Sequence, residues 1–376
     1  MRYGLSVVLC AFVMAECAGA QEIVESQEHD FRVETYAEGF GLPWGMAFLP
    51  DGRLLVTERE GALRVVGKEG RLSVPVEGVP EVRAEGQGGL MDVALHPQYA
   101  QNGWIYLIFS DPLRGPIGGT LGYTAIARGK LRGKRLVSVE VIYRVPERFY
   151  SPHSHHYGAR IAFDRESYLY FAIGDRGQRP LAQNVELPNG KVHRLYDDGR
   201  VPEDNPFVGQ KDAIESIWSY GHRNPQGLAL HPGTGQLWGA EHGPKGGDEL
   251  NHVRKGLNYG WPVITFGINY DGSPITDKTE AEGMEQPQTY WLPSIAVCGI
   301  DFYTGEGFGQ WQHDLLVTSL KFNRLHRVRM EGAEVIHEEI VYEGESRVRD
   351  VQTGPDGAVY LAVEEPGRIL RLVPEK

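Results

Sequence analysis

The chain has 376 residues, of which 41% are hydrophobic and 23% charged, a composition typical of soluble globular proteins. Its formal net charge of −12 disfavours nucleic acid and acidic membrane surfaces as partners. The length allows two domains or one large β domain.

The N-terminus has the features of an export signal. A positively charged start precedes an apolar run between residues 5 and 15 and a small-residue motif that ends at Ala20. We therefore expect residues 1–20 to be removed, the protein to be periplasmic and residues 21–376 to form one domain. Cleavage leaves Cys298 as the one cysteine, so no internal disulfide is expected. No later segment is long and apolar enough to predict a membrane span.

A weak repeat follows the export signal. Each copy has a short apolar strand, a turn rich in Pro, Asp and Gly, and a second strand rich in β-branched and aromatic residues. The six copies begin at Gly45, Asp92, Ala159, Gly227, Gly299 and Asp350. Because each small sheet needs neighbours to bury its faces, the repeat predicts an all-β, six-bladed β-propeller. Residues 31–36 are expected to close the ring beside residues 368–373; a two-domain β protein is the alternative.

Candidate site residues, most of them polar, recur at two positions of this repeat. Those before a first strand are Gln87, His156, Arg223, Asn224, Arg347 and Arg349; those after a second strand are Asp175, Gly243, Pro244 and Lys321. The start of one strand and the end of its antiparallel partner lie at the same edge of a sheet. We therefore expect these residues to surround the axis on one face. Several cations in such a cup predict a polyanionic ligand, because guanidinium groups suit carboxylates.

Two chemical roles follow from these positions. His156 and Asp175 are candidates for a general base and the acid that orients it. No serine or cysteine nucleophile is placed beside them, which favours proton abstraction over acyl transfer. The backbone carbonyls of Gly243 and Pro244, with Glu249 nearby, are hard oxygen ligands that suit calcium.

Six motifs, taken in order, resemble the glucose/sorbosone dehydrogenase family. They are GQGGLMDVALHP, HHYGARIAFD, SYGHRNPQGLALHP, EHGPKGGDELN, KGLNYGWP and RVRDVQTGPDG, and the resemblance extends from about Gly41 to the end of the chain. It implies a six-bladed propeller that uses pyrroloquinoline quinone (PQQ) and Ca²⁺. The implied reaction is oxidation of the anomeric C1 hydroxyl of an aldose sugar to the lactone, with electrons passed to an unidentified acceptor. We expect a monomer.

The resemblance also implies individual roles. His156 resembles the general base, Asp175 its orienting partner, and Arg223 the group that stabilises negative charge on the quinone. The implied cofactor contacts are Gln87, Arg223, Asn224, Lys321, Arg347 and Arg349. Gly243 and Pro244 resemble the ligands of a calcium that bridges the quinone, and Glu249 and the Tyr259 carbonyl resemble ligands of a second calcium.

Two other functions remain open from the residues. A calcium-dependent lactone hydrolase on a propeller would hold its metal mainly by carboxylates on the axis, whereas this axis is predicted to carry cations. A non-catalytic sugar-binding propeller would tolerate substitution of Arg347 and Arg349.

Overall fold

The computed structural model describes residues 23–116 and 118–375, so the expected export signal lies outside the described residues. In this part of the chain the strands form six antiparallel sheets, here called blades 1 to 6. None of the helices found there has the length and apolar character needed to cross a membrane.

The strands follow the predicted repeat. Two strands, β1 (Ile23–Val24) and β2 (Phe31–Phe40), precede blade 1, which has β3 (Pro43–Phe48), β4 (Leu54–Glu58) and β5 (Ala62–Val66). Blade 2 has β6 (Leu90–Leu95), β7 (Trp104–Arg114), β8 (Thr120–Arg132) and β9 (Arg135–Arg144). Blade 3 has β10 (Ile161–Phe163), β11 (Leu169–Ile173), β12 (Lys191–Leu195) and β13 (Ile217–Tyr220).

The second half of the ring is built in the same way. Blade 4 has β14 (Pro225–Leu230), β15 (Leu237–Glu241), β16 (Asp248–His252) and β17 (Thr289–Trp291). Blade 5 has β18 (Val297–Phe302), β19 (Leu315–Ser319), β20 (Arg324–Glu331) and β21 (Glu334–Glu343). Blade 6 has β22 (Val348–Thr353), β23 (Val359–Val363) and β24 (Gly367–Pro374). The helices are α1 (Tyr99–Asn102) and three 3₁₀ turns, Glu147–Phe149, Arg179–Gln183 and Gly309–Trp311.

The first strands of the blades form the inner wall of a ring. They contact one another in the cyclic order β3, β6, β10, β14, β18, β22 and back to β3. The second strands β4, β11, β19 and β23 are buried along their whole length, because each is covered on both faces by neighbouring blades. The predicted six-bladed propeller is therefore confirmed.

The ring is closed by pairing of the two ends of the described chain. Strand β2 adds to β24 of blade 6, with Phe31 opposite Pro374 and Thr35 opposite Leu370, as predicted. The Phe31 ring is fully buried and meets Phe308 and Trp311 edge-to-face, with ring centroids 5.8 and 6.1 Å away. The hydrophobic effect therefore holds the closing strand in place.

Replacing Phe31 with alanine is expected to lower the free energy of unfolding by about 3–5 kcal/mol, because the cavity left behind cannot be filled by its aromatic neighbours. Guanidinium denaturation measures the change. Glu38→Ala, at an exposed position of the same strand, should change stability by less than about 0.5 kcal/mol. Equal losses in the two variants would contradict a closing role for the buried ring.

Candidate active site

A cavity of about 860 Å³ lies at one end of the propeller axis and is lined by residues from several inner strands. Its mouth, defined here by Ile268, Tyr270, Leu292 and Pro293, comes from the segments on either side of β17. Within the described chain, the charged residues that line the cavity are Arg59, Lys245, Lys321, Arg347, Arg349 and one acid, Glu364. In an acidic protein this excess of cations favours an anionic ligand.

The structure brings most of the predicted site residues together. Those that line the cavity are Gln87, Asn224, Pro244, Lys321, Arg347 and Arg349. His156, Asp175 and Arg223 form a cluster beside it, and Gly243 precedes Pro244 in the same turn. Glu249 and Tyr259 do not line the cavity; they belong to a separate acidic cluster behind it.

His156 and Asp175 form the predicted pair. The Nδ1 atom of His156 lies 2.6 Å from Oδ1 of Asp175, whose side chain is fully buried. The backbone N–H of His156 donates to Oε1 of Gln87 at 2.7 Å, which ties the pair to the cavity wall. His156 has φ of 53°, a left-handed conformation that is costly outside glycine and is typical of functional sites.

The electrostatics of this pair favour a neutral imidazole. Burial lowers the pKa of His156 below its usual value near 6.5; the hydrogen bond with Asp175 opposes that shift, and the Arg223 charge adds to it. Burial also acts to raise the pKa of Asp175, but the hydrogen bond and charge of His156 outweigh it, so that pKa is lowered. With Nδ1–H donating to the carboxylate, Nε2 is the atom left to accept a proton.

Arg223 is held rigidly beside this pair. Its backbone N–H donates to Oε2 of Glu241 at 2.7 Å, and its Nη1 donates to the His242 carbonyl at 2.9 Å. Its own carbonyl accepts the Asp175 N–H at 2.7 Å. The predicted base, orienting acid and arginine are therefore linked by direct hydrogen bonds.

Two of the predicted arginines share a carboxylate within the protein. Arg349 is ion-paired with Glu364, with Nε 2.7 Å from Oε1, and also approaches Gln226 at 3.3 Å. Arg347 lies 3.8 Å from the same carboxylate. Glu364, which directly follows β23, therefore contacts both. Arg349 is largely buried and would be costly without this counter-ion, whereas Arg347 is exposed. Lys321 is exposed on the cavity wall.

The lining residues fit a flat polyanion such as pyrroloquinoline quinone. Cations outnumber the one lining carboxylate, and Gln87 and Asn224 add amide groups that can donate hydrogen bonds. The Nε2 atom of His242 is buried against the cavity with no partner in the described chain. Burial and the charges of Arg223 and Arg349 lower the pKa of His242 to about 3, which keeps that ring neutral.

The Gly243–Pro244 turn fits a hard cation at the cavity wall. A Cβ on Gly243 would come within 2.3 Å of the Gly246 carbonyl oxygen and 2.2 Å of that of Gly247, so only glycine fits. The Gly243 N–H donates to Oδ1 of Asp248 at 2.9 Å, which fixes the turn. Pro244 and Gly246 of this turn line the cavity, and backbone carbonyl oxygens are ligands of the kind that calcium prefers.

The acidic cluster behind the cavity also has carboxylate oxygens, ligands of the kind that calcium prefers. Glu241 and Glu249 are paired across β15 and β16, and Asn251 Nδ2 donates to both carboxylates at 3.1 and 3.2 Å. Burial and the neighbouring Glu241 charge raise the pKa of Glu249. The Tyr259 ring stacks on His222, which contacts Glu241 at 2.8 Å, so Tyr259 lies beside this cluster.

Sequence reasoning missed several residues of the site. Arg59 and Glu364 directly follow β4 and β23, and Lys321 lies two residues after β19. A search of the residues after every second strand would therefore have found them. Trp261 donates its indole N–H to Oδ2 of Asp175 at 2.8 Å. It belongs to the motif KGLNYGWP but lies outside the repeat positions, so the repeat gave no reason to place it beside Asp175.

An axial charge cluster separates the cavity from the opposite face. Arg160 contacts Asp350 at 2.8 Å and Asp92 at 3.2 Å, and its other nitrogens donate to the backbone carbonyls of Gln226 and Arg349. A second cavity of about 320 Å³ includes Asp92, Arg160 and Asp350 in its lining and shares no lining residue with the first. The axial channel is therefore interrupted at this cluster.

Comparisons with known proteins agree with this arrangement. Residues 40–371 match the family model described as Glucose / Sorbosone dehydrogenase. The chain is 42% identical to Aldose sugar dehydrogenase YliI of Escherichia coli (strain K12) over 351 residues, which covers 91% of this chain and 92% of that protein.

Solved structures are similar over almost the whole chain. The soluble aldose sugar dehydrogenase from Escherichia coli, in its apo-form, is 39% identical with a TM-score of 0.85, covering 92% of this chain and all of that one. The PQQ-bound aldose sugar dehydrogenase from Streptomyces coelicolor is 30% identical with a TM-score of 0.73, covering 92% and 98%. The resemblance of the six motifs is thus confirmed, and the chain belongs to the glucose/sorbosone dehydrogenase family.

Proposed function

We propose that this protein is a PQQ-dependent aldose sugar dehydrogenase that oxidises the anomeric C1 hydroxyl of an aldose to the lactone. The observation that carries the proposal is the hydrogen-bonded pair of His156 and Asp175, fixed beside a cation-rich cavity. The family membership and the PQQ-bound relative support the same cofactor. On the basis of residues 1–20, we also propose that the enzyme acts in the periplasm.

The chain's own residues account for proton removal. The Asp175 carboxylate holds Nδ1–H of His156 and leaves Nε2 to take the proton of the C1 hydroxyl. The positive charge of Arg223 opposes protonation of the imidazole and so favours the neutral form that can accept a proton. When bound, pyrroloquinoline quinone supplies the acceptor for the hydride from C1.

The cofactor would be held by residues from different blades. Lys321, Arg347 and Arg349 would bind its carboxylates, with Gln87 and Asn224 as amide contacts. The carbonyls of Gly243 and Pro244 would hold Ca²⁺, which supplies positive charge next to the quinone. Glu249 and the Tyr259 carbonyl would hold a second Ca²⁺, whose charge would lower the raised pKa of Glu249.

The test is reconstitution of the purified chain. Adding pyrroloquinoline quinone and Ca²⁺ is expected to produce aldose oxidation with an artificial electron acceptor, and the sugar product should be the lactone by NMR. Either component alone should give no turnover. Lactone hydrolysis without quinone would instead support a calcium-dependent hydrolase. Sugar binding with no change in the absorbance of bound quinone would support a non-catalytic sugar-binding propeller.

The pH dependence follows from the direction of the His156 shift. Because burial lowers its pKa, the acid limb of log kcat/KM should have its midpoint below pH 6.5. The Asp175 charge acts to raise that pKa, so Asp175→Asn should move the midpoint to still lower pH while also lowering kcat. A midpoint that rises in Asp175→Asn would contradict the pairing.

A further inference from the structure

The Asp175 carboxylate is held by more than its histidine. Oδ1 contacts His156 and accepts the Gly177 N–H at 2.7 Å. Oδ2 accepts the indole N–H of Trp261 at 2.8 Å, between two buried side chains separated by 86 residues. The indole therefore determines how the carboxylate can rotate about its Cβ–Cγ bond.

Trp261 is itself fixed on both sides. Its backbone N–H donates to the Gly221 carbonyl at 2.9 Å, and its carbonyl accepts the Gln183 side-chain amide at 2.8 Å. The guanidinium of Arg223 lies 5.5 Å from the centre of its ring, within the range of a cation–π contact. One side chain thus contacts both the orienting acid and the arginine of the proposed site.

We infer that Trp261 is a positioning residue for the reaction, acting through Asp175 on the basicity and orientation of His156. This inference rests on the proposed function. A buried carboxylate that loses a donor is less stabilised as an anion, so it attracts the proton on His156 more strongly. It also becomes free to turn away from Nδ1, which leaves the imidazole less well aligned with a substrate hydroxyl.

Trp261→Phe removes the N–H donor and keeps an aromatic ring. In the reconstituted holoenzyme we expect kcat to fall about tenfold, in line with loss of a hydrogen bond to a charged group. KM for the aldose should be nearly unchanged, because no sugar contact is removed. The acid limb of kcat/KM should move to higher pH. The charged and titratable groups that face His156 are Asp175, Arg223, His155 and His242, and none of them is altered.

Trp238→Phe is the matched control. Trp238 is a fully buried residue of β15, in blade 4, and its indole N–H has no partner within the described residues. Its kcat and pH midpoint should equal those of the wild type. An equal fall in kcat in both variants would overturn the inference, because the fall would then reflect packing of the indole rather than its contact with Asp175.

Two further measurements separate a positioning role from a structural one. In an Asp175→Ala background, adding Trp261→Phe should change kcat little. If the two substitutions instead lower kcat independently, so that the double variant shows the product of the two single effects, the inference would be overturned. NMR titration of ¹⁵N-histidine-labelled full chain should show the His156 midpoint rising in Trp261→Phe; an unchanged midpoint would overturn it. If that shift occurs but wild-type enzyme does not oxidise aldoses, the dehydrogenase proposal fails and the effect of Trp261 on the pair stands.

Discussion

Replacing His156 with alanine is expected to lower kcat for aldose oxidation about a thousandfold, within the range measured for loss of a general base. The reason is that no other described group is placed both to accept a proton and to be oriented by Asp175. Affinity for pyrroloquinoline quinone should remain close to that of the wild type, since the cofactor contacts lie on other side chains. Steady-state kinetics and quinone titration measure the two effects separately.

His153→Ala is the appropriate control for this variant. His153 is exposed in the same loop and makes no contact with the Asp175 carboxylate. Its kcat should remain within about a factor of two of the wild type, as for most surface substitutions. Unchanged turnover in His156→Ala would remove this histidine from the mechanism.

Replacing Arg160 with leucine is expected to lower the free energy of unfolding by about 3–5 kcal/mol, because the change leaves two buried carboxylates without their shared cation. Asp92 and Asp350 are both buried and both contact the Arg160 guanidinium. Urea denaturation at neutral pH measures the loss. This expectation does not depend on the proposed enzymatic activity.

Arg200→Leu provides the comparison for the axial substitution. Arg200 is exposed and paired with Asp198 at the surface, so its loss should leave the free energy of unfolding nearly unchanged. Adding Asp350→Asn to the Arg160→Leu variant should restore part of the lost stability. Equal losses in the two arginine variants would show that the axial cluster contributes no more than a surface pair.

The fold could be predicted because each blade repeats one local pattern. The strand pair that starts at Gly227 resembles the pair that starts at Asp350, and neither can bury its faces alone. His156, Asp175 and Lys321 could be placed for the same reason, since their distance from the strands in the repeat determines the face on which they lie. The closing strand was predictable from alternation that begins at Phe31.

The remaining features depend on contacts between distant parts of the chain. Glu364 neutralises Arg349 only because the fold brings the two side chains together near the axis. Arg160 likewise contacts two aspartates from other blades. Trp261 reaches Asp175 from a connection that lies outside the repeat. Such contacts leave no periodic signal, so the pairing of charges and the support of the base could be found only in three dimensions.

The interrupted axial channel has a consequence for the order of events during turnover. Because Arg160 and its two aspartates lie between the two axial cavities, we expect the sugar and the electron acceptor to reach the proposed site by the same route, past Tyr270 and Leu292. The sugar and the electron acceptor would then bind in turn rather than together. Excess sugar should slow the enzyme by occupying the place that the acceptor needs, and more acceptor should relieve that inhibition.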